Sequence, residues 1–93
     1  MIKTFADKRT AALFLGQFVK GLPADVAVRA KRKLDLIDGA AALDFLRVPP
    51  GNRLEALHGD RKGQYSIRVN DQWHVCFWWI EGHAYDVEFC DYH

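Results

Sequence analysis

A chain of 93 residues, 49% of them hydrophobic and including six Phe, three Trp and three Tyr, can build one core, which excludes a disordered or low-complexity protein. A net charge of +1 excludes a globally basic nucleic-acid binder and leaves only local cationic patches to consider. No apolar run reaches the roughly 18 residues of a membrane span, and "MIKTFADKRT" lacks the apolar stretch of a secretory signal, so a cytoplasmic single domain over residues 1–93 is expected.

In chain order, Ile2 to Thr4 reads as a brief strand, and Thr4 to about Phe18 as a helix with Leu13, Phe14 and Phe18 as its apolar stripe. Gly21 in "KGLP" is the expected C-cap. A second helix runs from Pro23 to about Ala41, with Val26, Ala30, Leu34, Ile37 and Ala41 on one face and Pro23 where a first turn tolerates it. Arg29, Arg32 and Lys33 point away from that face and read as solvated charges, with an acidic docking partner as the alternative. Together the two helices form an αα-hairpin.

"RVPPGN" ends the helical pattern. After it the period changes to two. "RLEALHG" alternates imperfectly; "QYSIRVN" sets Tyr65, Ile67 and Val69 against Ser66 and Arg68. "WHVCFWWI" is apolar on both sides apart from His74, as a covered central strand should be, with Trp78 and Trp79 read mostly as core. "AYDVEF" sets Tyr85, Val87 and Phe89 against Asp86 and Glu88. Asn70-Asp71 and Glu81-Gly82 suit two-residue turns. The expectation is an α+β fold: two N-terminal helices packed on an antiparallel meander.

Cys76 and Cys90 are the only cysteines; their spacing gives no zinc motif, and they read as small buried hydrophobes with no disulfide. The polar side chains of the second half carry the chemistry. Arg53, His58, Arg61, Lys62, Arg68, His74 and His93 are cationic or can become so; Glu55, Asp60 and Asp91 are the acids; Tyr65, Trp73 and Tyr92 are interleaved aromatics. Cations position phosphates, and aromatics stack unpaired bases. RNA cleavage needs a base for the ribose 2′-OH, cations for the charge growing on phosphorus, and an acid for the leaving 5′ oxygen. Taken singly, each residue is also explained as a solvated loop or strand position.

Two stretches carry a resemblance. "GNRLEALHGDRKGQYSIRVNDQWHVCF" and the closing "AYDVEFCDYH" resemble the HigB toxins of the RelE superfamily, also called plasmid maintenance system killer proteins, over Ile2 to His93. The resemblance implies a RelE-like fold and a ribosome-dependent endoribonuclease that cuts mRNA in the ribosomal A site. It implies no metal or organic cofactor, and a HigA-like helix-turn-helix antitoxin as partner, with operator DNA bound only through that antitoxin. It assigns catalysis to Asp91, Tyr92, His93 and His58, with His93 or Asp91 as general base and Tyr92 orienting or stacking. Arg61 and Arg68 would contact RNA phosphate, and Arg53, Lys62 and His74 complete the RNA-binding set. Two positions depart from the family pattern: His74 stands where Arg is usual after "NDQW", and Glu55 where some members place His. A member with weakened catalysis, kept as an antitoxin-binding module, is the alternative function.

Overall fold

The computed structural model describes residues 1–91; Tyr92 and His93 lie outside the described residues. Helix α1 spans Lys8–Phe14. Asp7 caps it, its Oδ1 accepting from the Thr10 backbone N–H and hydroxyl, both at 2.7 Å. The helix is shorter than its sequence pattern implied. Leu15 is its C-cap, and Gly16 follows at φ +73°, a left-handed backbone that ends the helix before Gly21 is reached. Phe18, beyond that break, is 87% exposed and belongs to no apolar stripe.

Helix α2 spans Ala24–Gly39, entered through Pro23, and buries Val26, Ala30, Leu34 and Ile37 as the 3.6-residue period dictates. It stops two residues early, so that Ala40 is buried and Ala41 is exposed. Two 3-10 turns follow, Leu43–Arg47 and Pro50–Asn52. The buried Asn52 holds them together: its side-chain amide donates to the carbonyls of Leu46 and Val48.

Strands β1 (Glu55–Ala56), β2 (Gln64–Arg68), β3 (His74–Ile80) and β4 (His83–Cys90) form one sheet in sequence order, each pair antiparallel. The β3–β4 turn is the two-residue Glu81-Gly82, both at positive φ. The β2–β3 turn is longer than the expected Asn70-Asp71 pair. Val69 N–H donates to the Trp73 carbonyl, and the Asn70 side chain accepts from the amides of Gln72 and Trp73. One segment precedes the helices: Ile2 and Phe5 bridge in parallel to Ala84 and Val87 of β4.

The β3–β4 register slips between Cys76 and Trp78: Cys76 faces Glu88, but Trp78 faces Tyr85. Two residues of β4, Asp86 and Val87, therefore stand opposite one of β3, with Asp86 at φ +50°. This overturns the expected alternation. Ala84, Val87 and Phe89 are fully buried, whereas Tyr85 falls on the other face with Glu88. Helices α1 and α2 cover one face of the sheet, where Leu13, Ala30, Leu34 and Ile37 meet Ile67, Val69, Val75, Phe77, Val87 and Phe89. The opposite face carries the polar strand residues Gln64, Ser66, Arg68, His74 and Glu88. Among the described residues, no helix is long and apolar enough to cross a membrane.

Candidate active site

Side chains two apart on a strand share a face, so the register decides which residues meet. Ile67, Val75 and Phe89 belong to the core. Gln64, Ser66 and Arg68 of β2, His74, Cys76 and Trp78 of β3, and Glu88 and Cys90 of β4 therefore share the helix-free face. Arg68 is paired directly with His74, and His74 with Cys90. Glu55 of β1 pairs with Ser66 at the edge.

Arg61 reaches this face from the 3-10 turn Gly59–Arg61. Its guanidinium donates to Glu88 at 3.1 Å and to Gln64 at 3.2 Å. The hydrogen bond to Glu88 raises the arginine's proton affinity above its ordinary value, against partial desolvation. Arg68 is ion-paired with Asp71 in the β2–β3 turn. Asp91 follows β4 directly, and the Gln72 side-chain amide donates to its carboxylate at 3.1 Å. Arg61, Arg68, His74 and Asp91 are thus gathered on or beside one sheet face. Tyr92 and His93 of the expected catalytic set lie outside the described residues.

The other expected residues are more scattered. His58, at the entry to the 3-10 turn, and Lys62, at its exit, are exposed; their backbones close the turn, the Arg61 N–H donating to the His58 carbonyl and the Lys62 N–H to the Gly59 carbonyl, and neither side chain is drawn into the Arg61–Glu88–Gln64 cluster. Arg53 is exposed at φ +46° after the Pro50–Asn52 turn. Tyr65 and Trp73 are not interleaved with the cations; both pack against the core. Tyr65 lies beside Phe77, and Trp73 is stacked on Phe89 with ring centroids 4.5 Å apart.

Three features had no readable signal in the sequence. Arg9 of α1 donates to the Phe89 carbonyl at 2.8 Å and lies over the rings of Trp73 and Phe89. The buried Thr10 hydroxyl accepts from the Phe89 N–H at 2.9 Å, so α1 holds both backbone groups of a residue two positions before Asp91. Lys33, read as a solvated charge, instead donates to the Asn52 side chain, and its proton affinity is lowered by burial and by the nearby Arg29 and Arg68. The basic side of α2 therefore comes near one of the sheet cations.

Cys76 and Cys90 also occupy this face as buried thiols, with Sγ atoms 2.8 Å apart. The hydrogen bond between them holds the Cys76 proton and favours the Cys90 thiolate, an effect Arg61 reinforces at Cys90. Among the described residues, no group of three or more His, Cys, Asp or Glu could hold a metal ion.

Residues 3–93 match the HigB-like toxin family, described as RelE-like toxin of type II toxin-antitoxin system HigB. "Toxin HigB-1" of Vibrio cholerae serotype O1 is 46% identical over 63 residues, 68% of this chain and 66% of that protein. "Endoribonuclease HigB" of Proteus vulgaris is 37% identical over 93 residues, the whole of both chains. Among solved structures, a chain of the YoeB–YefM complex from Staphylococcus aureus shares the fold, with a TM-score of 0.62 at 15% identity over 100% of this chain and 98% of that one.

Proposed function

The chain belongs to the family of RelE-like HigB toxins of type II toxin–antitoxin systems, and on that footing we propose that it is an endoribonuclease that cleaves mRNA on the ribosome. The observation that supports this best is the meeting of Arg61, Arg68 and His74 on one sheet face beside Asp91.

In this reading an RNA phosphate approaches the helix-free face. Glu88 and Gln64 engage one terminal nitrogen of Arg61 and fix the guanidinium plane, leaving other N–H groups for phosphate oxygens. Arg68 supplies a second cation once it exchanges Asp71 for phosphate. Asp91 or His93 takes the 2′-OH proton, and the 2′ oxygen attacks the adjacent phosphorus. The bond to the 5′ oxygen breaks, and that oxygen is protonated by an acid of the closing triplet. Cleavage leaves a 2′,3′-cyclic phosphate and a free 5′-OH. The cations act at the phosphorus, where negative charge accumulates in the transition state.

The weak net charge supports dependence on the ribosome. A chain at +1 has little long-range attraction for RNA, so a translating ribosome would supply the positioning. The partner is a HigA-like helix-turn-helix antitoxin, through which the pair would contact operator DNA. His74, standing where the family pattern has arginine, favours the second reading of a weakened, antitoxin-binding member.

Inducing the chain with and without its antitoxin, and mapping mRNA 5′ ends, tests the proposal. Growth arrest with discrete new ends inside translated frames is expected. Arrest-free growth with unchanged ends would leave the binding-module reading, and equal cleavage of naked and translated mRNA would remove the ribosome from the mechanism.

A further inference from the structure

Cys76 lies inside β3, opposite Glu88, and Cys90 ends β4, opposite His74, so the two are diagonal neighbours on the helix-free face. Their sulfurs are 2.8 Å apart, against about 2.05 Å in a disulfide, so bond formation calls for a closure smaller than one ångström. Cys76 is fully buried and Cys90 is 6% exposed, so Cys90 is the residue of the pair nearer to solvent. Cys90 also immediately precedes Asp91.

We propose that Cys76 and Cys90 form a thiol-modification site, at which a low-molecular-weight disulfide oxidises the pair to an intramolecular disulfide that repositions Asp91. Cys90, the more exposed of the two, is the attacking group, and the positive charge of Arg61 favours its thiolate. Having lost its proton to water, Cys90 Sγ attacks one sulfur of glutathione disulfide and expels the other as glutathione thiolate. Cys76 gives its proton to a thiolate released in this way, and its sulfur attacks Cys90 Sγ, expelling the second glutathione thiolate, which is then protonated. Two protein thiols are oxidised, and one glutathione disulfide is reduced to two glutathione thiols.

The movement this imposes is directed. Phe89 is clamped on the helix side by Thr10 and Arg9, at both its N–H and its carbonyl. Drawing Cys90 toward β3 therefore displaces the residues beyond that clamp, Cys90 itself and Asp91, whose carboxylate rests on Gln72. The consequence for RNA cleavage rests on the function proposed above; the disulfide does not.

The test equilibrates the reduced full-length chain with graded mixtures of reduced and oxidised glutathione, then traps free thiols by alkylation for mass analysis. The expected product has lost two hydrogens, carries a linked Cys76–Cys90 peptide and no glutathione, and exchanges its Cys90 and Asp91 amides at altered rates. Its cleavage of translated mRNA falls roughly tenfold, as displacement of a positioned group implies, and returns on reduction. Cys90→Ala, or Cys76→Ala/Cys90→Ala should the single variant fold poorly, cleaves equally before and after glutathione disulfide treatment. Two alkylatable thiols persisting in the most oxidising mixture would overturn the proposal, as would a stable glutathione adduct or an oxidised chain with unchanged cleavage and exchange. If the reduced chain cleaves nothing, the proposed endoribonuclease activity fails, and the two-hydrogen loss with altered amide exchange alone decides the thiol site.

Discussion

Replacing Thr10 by Val removes one hydroxyl that joins α1 to the end of β4. In the native chain that hydroxyl donates to Asp7 at 2.7 Å and accepts from the Phe89 N–H at 2.9 Å, and Thr10 is fully buried. Asp7 keeps its bond from the Thr10 backbone, so the cap survives. The Phe89 N–H has no replacement acceptor in an apolar setting. Leaving such a group unpaired costs about 1–3 kcal/mol, and about 2 kcal/mol is expected here because valine otherwise fills the same space. For a chain of this size that lowers Tm by roughly 8–16 °C. Urea denaturation followed by tryptophan fluorescence measures the loss, and hydrogen exchange at Phe89 locates it: that amide should exchange much faster in the variant. Thr10→Ser keeps the hydroxyl and loses one buried methyl, about 1 kcal/mol, with Phe89 still protected. A Thr10→Val chain within ~0.5 kcal/mol of wild type, with Phe89 still protected, would refute the reasoning.

Arg61→Gln should lower cleavage of translated mRNA by about 10²-fold, the scale set by losing one charge-stabilising donor, with little change in melting; equal rates would remove Arg61 from the site. Gly63→Ala should destabilise the fold by about 2–3 kcal/mol, because Gly63 sits at φ +98° and an added Cβ would lie 2.5 Å from the Trp78 ring; an unshifted Trp78 emission and urea midpoint would count against this. Lys33 has a folded-state proton affinity below the ordinary lysine value of 10.5, so the unfolded chain binds more protons in the interval beneath that value, and stability rises with pH there. Lys33→Met should flatten that rise in urea midpoints taken between about pH 8.5 and 10.5, and parallel slopes would contradict the assignment. His74→Arg should raise cleavage of translated mRNA, since a guanidinium can grip a phosphate through two parallel hydrogen bonds where an imidazole cannot; an unchanged rate excludes His74 from the chemistry.

The helices and strands that could be read in the sequence are those whose own residues bury their own stripe. Helix α2 is the clear case: Val26, Ala30, Leu34 and Ile37 are the positions its period picks out. Strand β2 likewise buries Ile67. The errors arise where a distant contact or one backbone angle decides. Helix α1 stops because Gly16 turns left-handed, although the apolar pattern continues to Phe18. Strand β4 alternates regularly in its residue types, yet the extra residue at Asp86 and Val87 moves Tyr85 to the opposite face. That bulge is stabilised from 82 positions away, by the Thr4 hydroxyl accepting from the Asp86 N–H, a contact no local pattern can encode. The same limit applies at the site. Arg61, Arg68 and His74 were legible as a set because their loop and strands are neighbours in sequence. Arg9, Thr10 and Lys33 approach from the helices, and nothing in their own segments signals where those helices lie.

The pairing of Ile2 and Phe5 with Ala84 and Val87 bears on how the chain matures. Ladder bonds run in both directions there, from Lys3 and Ala6 to β4 carbonyls and from Ala84 and Val87 back to Met1 and Thr4. The earlier-synthesised segment therefore waits for a partner some eighty residues downstream. At translation rates of about 5–20 residues per second that delay is roughly 4–16 s. During it α1 lacks β4 beneath it, and the Thr10 hydroxyl has no Phe89 amide to receive. Docking of the early segment must follow emergence of β4, a non-local and therefore slow kind of closure. A nascent chain lacks the clamp on Phe89 until β4 has emerged, so the proposed competence for cleavage arises only once segments some eighty residues apart have met.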